Sequence, residues 1–187
     1  DYVREAYSAK EWGFVPNYAR LDIIYQHGGI YLDTDVEVIG NLDVLLRDEA
    51  FVNMGCADRI NMGCGFGAIA GHPIIYDMRQ SFKNSHFLIN GKAEKKPCHA
   101  FVHPVIEKYG FQLKNKYQNK QGVALYPSEV MSPLTIGEMD DFFSEKTISI
   151  HQEEGNWKSD IEKKGLEKLN KLIVGGRICQ KKYAGRI

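Results

Sequence analysis

"HGGIYLDTDVEV", residues 27–38, sets two carboxylates, Asp33 and Asp35, at the point where a short apolar run stops. The run "IYLD" is β-rich, of the kind found in a buried parallel strand, which places the aspartates at the strand's C-terminal end. A strand buried against helices tolerates no unpaired charge, because desolvating a carboxylate is costly unless a cation or hydrogen bonds compensate it. On a regular strand, residues i and i+2 share a face while the small Thr34 points away, so Asp33 and Asp35 converge on one hard cation such as Mg²⁺ or Mn²⁺. That end of a parallel sheet is also where α/β proteins bind ligands. The competing reading is a pair of turn or capping aspartates left in water.

Outward from this stretch, Pro16 suits the first turn of a helix. Leu21, Ile24, Tyr25 and Gly28 then recur at helical spacing until Gly28-Gly29 ends it, which predicts a helix over 16–27 with Asn17 and Arg20 on one face. "DYVREAYSAKEW" before it is a further helical pattern. "AFVNM", "GFGAIA", "GVALYP" and "TISIHQ" read as strands, and Gly63, Gly65, Gly67 and Gly71 allow close backbone approach or tight turns. His72-Pro73 opens a helix over "PIIYDMRQSFKNSHFL", and "PCHAFVHPVIEKYG" is another, interrupted near Pro104 and ended by Gly110. Strands alternating with helices predict an α/β fold with at least some parallel pairing.

The 187 residues fit a single domain with a core large enough to stand without disulfides or metal staples. Equal numbers of basic and acidic residues, 24 each, give no global field for nucleic acid or an anionic membrane. Cys56, Cys64, Cys98 and Cys179 form no CxxC pair, which points to reduced thiols in a cytoplasmic setting. No run approaches the roughly 18 apolar residues of a membrane span. His99 and His103 are spaced i, i+4 beside Cys98, but with no Glu after His99 and no second ligand pair the zinc reading yields to a helix face. "GFGAIAG" lacks the lysine of a phosphate loop and reads as a strand. Lys163 to Lys171 reads as a solvated helix face, with docking at a membrane surface as its alternative.

The span "FVPNYARLDIIYQHGGIYLDTDVEVIGNLDVLL" resembles the DxD-bearing sugar-transfer segment of bacterial capsular polysaccharide glycosyltransferases, grouped with yeast-type α-mannosyltransferases as glycosyltransferase family 32, and more distantly the glucosylating domains of large clostridial toxins. The likeness continues through "NMGCGFGAIAGHPII", "YPSEVMSPL" and "ISIHQEEGNW". It implies a GT-A-like α/β fold, with a mixed, mainly parallel sheet flanked by helices. It also implies a retaining transferase that uses Mn²⁺ (or Mg²⁺) to hold a nucleotide-sugar donor, such as a UDP- or GDP-sugar, and delivers the sugar to a glycan or lipid-linked acceptor. Nucleic acid is no partner in this reading, which places the protein in the cytoplasm, if need be against the inner face of the membrane.

Carried over residue by residue, the resemblance makes Asp33 the aspartate facing ribose and sugar, Asp35 the direct metal ligand, and Arg20 the arginine reaching the donor sugar and diphosphate. Asn17 stands where relatives commonly carry a sugar-binding Asp. In "HQEEGNW", His151 is the third metal-side ligand, and Asn156 and Trp157 stand where Ser and Trp contact the diphosphate. Relatives also begin with a further strand that forms part of the nucleobase pocket. Nothing in residues 1–187 matches it, so the expectation is a single glycosyltransferase domain that is a fragment of a longer one. The rival is a catalytically degenerate nucleotide-sugar or glycan-binding module. A phosphatase with Asp33 as nucleophile would need a Lys and further Asp motifs that the sequence lacks.

Overall fold

The structure, a computed structural model, describes residues 1–55, 58–133 and 144–152. Helix α1 (Tyr2–Ser8) leads through a 3₁₀ turn at Trp12–Phe14 into α2 (Pro16–His27), then β1 (Gly29–Tyr31) and β2 (Val36–Val38). A 3₁₀ segment at Leu42–Arg47 precedes β3 (Ala50–Asn53) and β4 (Phe66–Ala68), followed by α3 (Pro73–Lys83) and the small hairpin β5 (Leu88–Ile89) and β6 (Lys92–Ala93). Helix α4 (His99–Lys108), β7 (Gln118–Lys120), β8 (Val123–Tyr126), α5 (Ser128–Met131) and β9 (Ser149–His151) complete the described elements.

The fold is mixed α/β. Its main sheet runs in the order β1-β4-β3-β8-β7, and only β3 and β8 pair in parallel. The other neighbours are antiparallel, so the sheet is mostly antiparallel rather than mainly parallel. Parallel strands need a long crossover, and the connection from β3 to β8 carries α3 and α4, whereas β7 and β8 are joined by the tight turn Gln121-Gly122. Strand β3 is buried along its whole length. Alternation sends Ala50 and Val52 into one core and Phe51 into the other. The first core lies under the helices, where Tyr2 meets Phe82, Phe87 and Phe101 edge-on at ring separations of 5.3–5.6 Å and Phe82 stacks on Phe101 at 4.2 Å. The second core gathers Leu45, Phe51, Cys64, Met131 and Ile148 on the opposite face.

Helix α2 spans the predicted residues. Pro16 occupies its first turn and Gly28 ends it at φ 70°, with the Gly28 amide donating to Ile24 O at 2.8 Å. Helix α4 differs from the expected interruption: it runs unbroken across Pro104. Strand β1 also differs. It sits at the sheet edge, half-exposed and antiparallel to β4, and it ends at Tyr31. Asp33 and Asp35 therefore lie in the connection to β2, beyond the pleat that was expected to align them.

Helix α1 is fastened by one acid. Glu5 accepts from the Phe87 and Leu88 amides at 2.8 and 2.9 Å and pairs with His86 at 2.7 Å. The Leu88 amide first, then His86, hold its carboxyl down at about 2. A depressed carboxyl stabilises the fold above its ordinary range and loses that contribution as pH falls through the folded value. The stability gap between wild type and Glu5→Ala, followed by thermal unfolding, should be present at pH 5 and close as pH falls from 5 toward 2. A gap independent of pH would remove the charge from the account.

Candidate functional site

The buried stripe of α2 is formed by Asn17, Arg20, Leu21 and Ile24, at helical spacing. Its first two members are polar, which a core tolerates only if their groups find partners. Arg20, 8% exposed, donates from Nε to Pro16 O at 3.2 Å, from Nη2 to Asn17 Oδ1 at 3.1 Å and from Nη1 to Asp33 Oδ1 at 3.3 Å. Its guanidinium also lies 4.9 Å from the centre of the Tyr31 ring. The Tyr31 hydroxyl donates to the same Asp33 oxygen at 2.6 Å. Burial, with the Asp33 hydrogen bond adding to it against the pull of Arg20, pushes the Tyr31 phenol up to about 12 and keeps it a proton donor. Asp33 Oδ1 thus carries two donors at once.

The other Asp33 oxygen faces the opposite side of the site. Asp33 donates its amide to Gly63 O at 3.0 Å, and the Val36 amide donates to Asp33 O at 3.1 Å, closing a turn that brings the two carboxylates together. Strand β9 then pairs with β2 in the register Val36↔His151, and the Gln152 amide donates to Asp35 O at 3.0 Å. That register sets His151 Nε2 at 3.2 Å from Asp35 Oδ1 and 4.0 Å from Asp33 Oδ2. Arg20 and His151 therefore stand on the two sides of Asp33, in one site.

The structure brings Asn17, Arg20, Asp33, Asp35 and His151 together; Asn156 and Trp157 lie outside the described residues. Two neighbours carry no signal of their own role in the sequence pattern: Tyr31 lies inside the quoted run and Asn61 bears no distinguishing mark, whereas Gly63 is one of the glycines read as allowing close backbone approach. Asn61 Oδ1 accepts from the Gly63 amide at 2.9 Å and the Cys64 amide at 3.4 Å, while its Nδ2 lies 3.3 Å from His151 Nδ1. A Cβ on Gly63 would collide with Asp33 Oδ2. The backbone of 61–64 is thus a floor under both the aspartate and the histidine.

Among the described residues, Asp33, Asp35 and His151 are the group whose ligand atoms suit a metal ion, all within 4.8 Å of one another. Two hard carboxylate oxygens beside an imidazole fit a divalent cation of the Mn²⁺ or Mg²⁺ type. The His99 and His103 rings pack at 5.1 Å, and His103 Nε2 accepts the Ile60 amide at 3.0 Å, a structural role. "GFGAIAG" forms β4 and the turn after it.

Residues 2–52 match the family model of the glycosyltransferase sugar-binding region containing the DXD motif, and the DXD of that stretch is Asp33-Thr34-Asp35. The match supports a glycosyltransferase and spans α1, α2 and the aspartate turn, though not Asn61 or His151. Neither the curated proteins nor the solved structures provide a match to the chain. Among the described residues, no helix is long and apolar enough to cross a membrane.

The collision at Gly63 has a direct consequence. Gly63→Ala should displace the Asp33 carboxylate, break its contact with Tyr31 or Arg20, and weaken any ligand bound there on the order of tenfold through misplacement, with the fold retained. Titration of a nucleotide sugar into both proteins, with circular dichroism as the folding control, checks this; equal affinity would show that Asp33 has room to move without cost.

Proposed function

We propose that the protein is a metal-dependent retaining glycosyltransferase that moves a sugar from a nucleotide-diphosphate sugar to a hydroxyl of a surface or capsular glycan, in the bacterial cytoplasm. The observation that carries this reading is the convergence of Arg20, Asp33, Asp35 and His151 within a chain whose DXD stretch matches a glycosyltransferase sugar-binding region. A solvated turn would not bring a buried arginine, a tyrosine hydroxyl and a distant histidine to the same two carboxylates.

The roles follow from what each side chain has left to offer. Asp33, clamped by Tyr31 and Arg20, is a rigid acceptor suited to orienting donor hydroxyls. Asp35 is the carboxylate that would hold Mn²⁺ or Mg²⁺. When bound, such a cation holds the donor diphosphate and offsets the charge that develops as it leaves. Arg20 spends three of its five N–H donors on Pro16, Asn17 and Asp33, leaving one on each terminal nitrogen for the donor. Asn17 gives its oxygen to Arg20, so only its amide nitrogen, which also neighbours the Tyr2 hydroxyl, is left to donate to a sugar. No carboxylate stands out as a glycosyl nucleophile, which favours substitution on one face of the sugar, the acceptor's proton passing to the leaving phosphate. Asn156 and Trp157 would complete the diphosphate side.

The two aspartates are separable by experiment. Asp35→Asn should lower Mn²⁺ affinity sharply and cut transfer or donor hydrolysis on the order of a hundredfold, with part of the loss restored by excess Mn²⁺. Asp33→Asn should impair turnover through positioning, and excess Mn²⁺ should restore little. Assays of a panel of UDP- and GDP-sugars across a Mn²⁺ titration decide between these. Wild-type turnover in either variant would leave that aspartate a structural residue with no part in transfer, and donor binding without any turnover in wild type would leave a binding module.

A further inference from the structure

The imidazole of His151 has two nitrogens with different neighbours, and a neutral ring carries its proton on only one of them. Nε2 faces the carboxylates of Asp35 and Asp33, at 3.2 and 4.0 Å. Nδ1 faces Asn61 Nδ2 at 3.3 Å. An amide could in principle be turned about to offer its oxygen instead. Here the backbone forbids it. Asn61 Oδ1 accepts the Gly63 amide at 2.9 Å and the Cys64 amide at 3.4 Å, both of which can only donate. Reversing the side chain would set its NH₂ against those two N–H groups, and the Gly63 carbonyl is itself engaged by the Asp33 amide.

The nitrogen of Asn61 has no lone pair to accept with, so Nδ1 of His151 must be the acceptor and bears no proton. The ring's proton then lies on Nε2, aimed at the carboxylate pair. A nitrogen that carries a proton has no free electron pair for a metal. For His151 to coordinate through Nε2, the proton would have to move to Nδ1, where it would meet the Asn61 N–H.

We propose that Asn61 is a positioning residue that locks His151 in the tautomer protonated at Nε2, so that His151 serves the Asp33 and Asp35 carboxylates as a proton-bearing neighbour and not as a metal ligand. This deepens the cation reading of Asp35 and rests on it only where metal affinity is concerned; the tautomer is a property of the metal-free chain. The lock also explains the choice of an amide at position 61: a carboxylate there would keep the two backbone bonds yet accept a hydrogen bond from a protonated Nδ1, freeing Nε2 to coordinate.

The test uses the full chain. Nitrogen-15 NMR of the histidine rings at pH 8, above the ordinary imidazole range, reads the tautomer directly, with His151→Gln identifying the resonances. Wild type without metal should show Nδ1 unprotonated and Nε2 protonated, and Asn61→Asp should reverse them. A wild-type ring protonated at Nδ1 overturns the proposal, even if Asn61→Asp fails to fold. Mn²⁺ titration supplies the second reading. Asn61→Asp should bind at least tenfold more tightly than wild type, and His151→Gln at least as tightly as wild type, while Asp35→Asn binds far more weakly. Loss of tenfold or more in His151→Gln, alongside loss in Asp35→Asn, would make His151 a ligand and overturn the proposal. Unchanged binding in Asp35→Asn would instead defeat the cation reading, leaving the tautomer to stand or fall on the NMR result.

Discussion

The ion pair between Arg20 and Asp33 is the contact around which the site is arranged. A guanidinium only 8% exposed, on the inner face of a helix, is tolerable because an anion and several acceptors meet it. Asp33 supplies the anion, Asn17 and Pro16 supply the remaining acceptors, and the Tyr31 ring lies against the guanidinium while its hydroxyl shares the same carboxylate oxygen. The compensation runs in both directions: the arginine makes the aspartate affordable in a half-buried turn, and the aspartate lets α2 carry an arginine where its pattern would otherwise place an aliphatic residue. With Oδ1 so occupied, Asp33 turns its second oxygen toward the other half of the site.

That other half depends on strand pairing. β9 joins β2 in a register that sets His151 opposite Val36, one residue past Asp35. A shift by a single residue would send the His151 side chain to the other face and leave the carboxylates without it. The loop 61–64 closes the arrangement from below, with a glycine where a side chain would strike Asp33 and an asparagine whose orientation is fixed by two backbone donors. The position of the carboxylates is thus set by the residues packed around them as well as by the strand and turn that carry them.

The sheet that supports all this is divided between two cores. Ala50 and Val52 face the aromatic cluster beneath α1 to α4, and Phe51 faces the smaller core that holds Ile148, next to β9. The site lies where the second core meets the edge strand β1, so a strand exposed at the sheet edge carries the functional turn while the fully buried β3 carries stability.

The sequence by itself determined the helix over 16–27, down to its proline start and glycine stop, because those signals are local and act within one turn. It also marked Asp33 and Asp35 as candidates, since charges beside an apolar run are conspicuous wherever the chain folds, while Arg20 and His151 became candidates only through the resemblance to the DxD-bearing sugar-transfer segment. It read the aspartates as sharing a strand face, and only the tertiary structure decided that a turn, fixed by the Gly63 carbonyl and the Val36 amide, aligns them instead. It read the sheet as mainly parallel, whereas strand direction depends on which segments meet after the chain has crossed over, and no local pattern records that. Tyr31 and Asn61 stayed silent for the same reason: a hydroxyl or an amide acquires its role from the partner it meets, and the partners of Asn61 include a histidine 90 residues away.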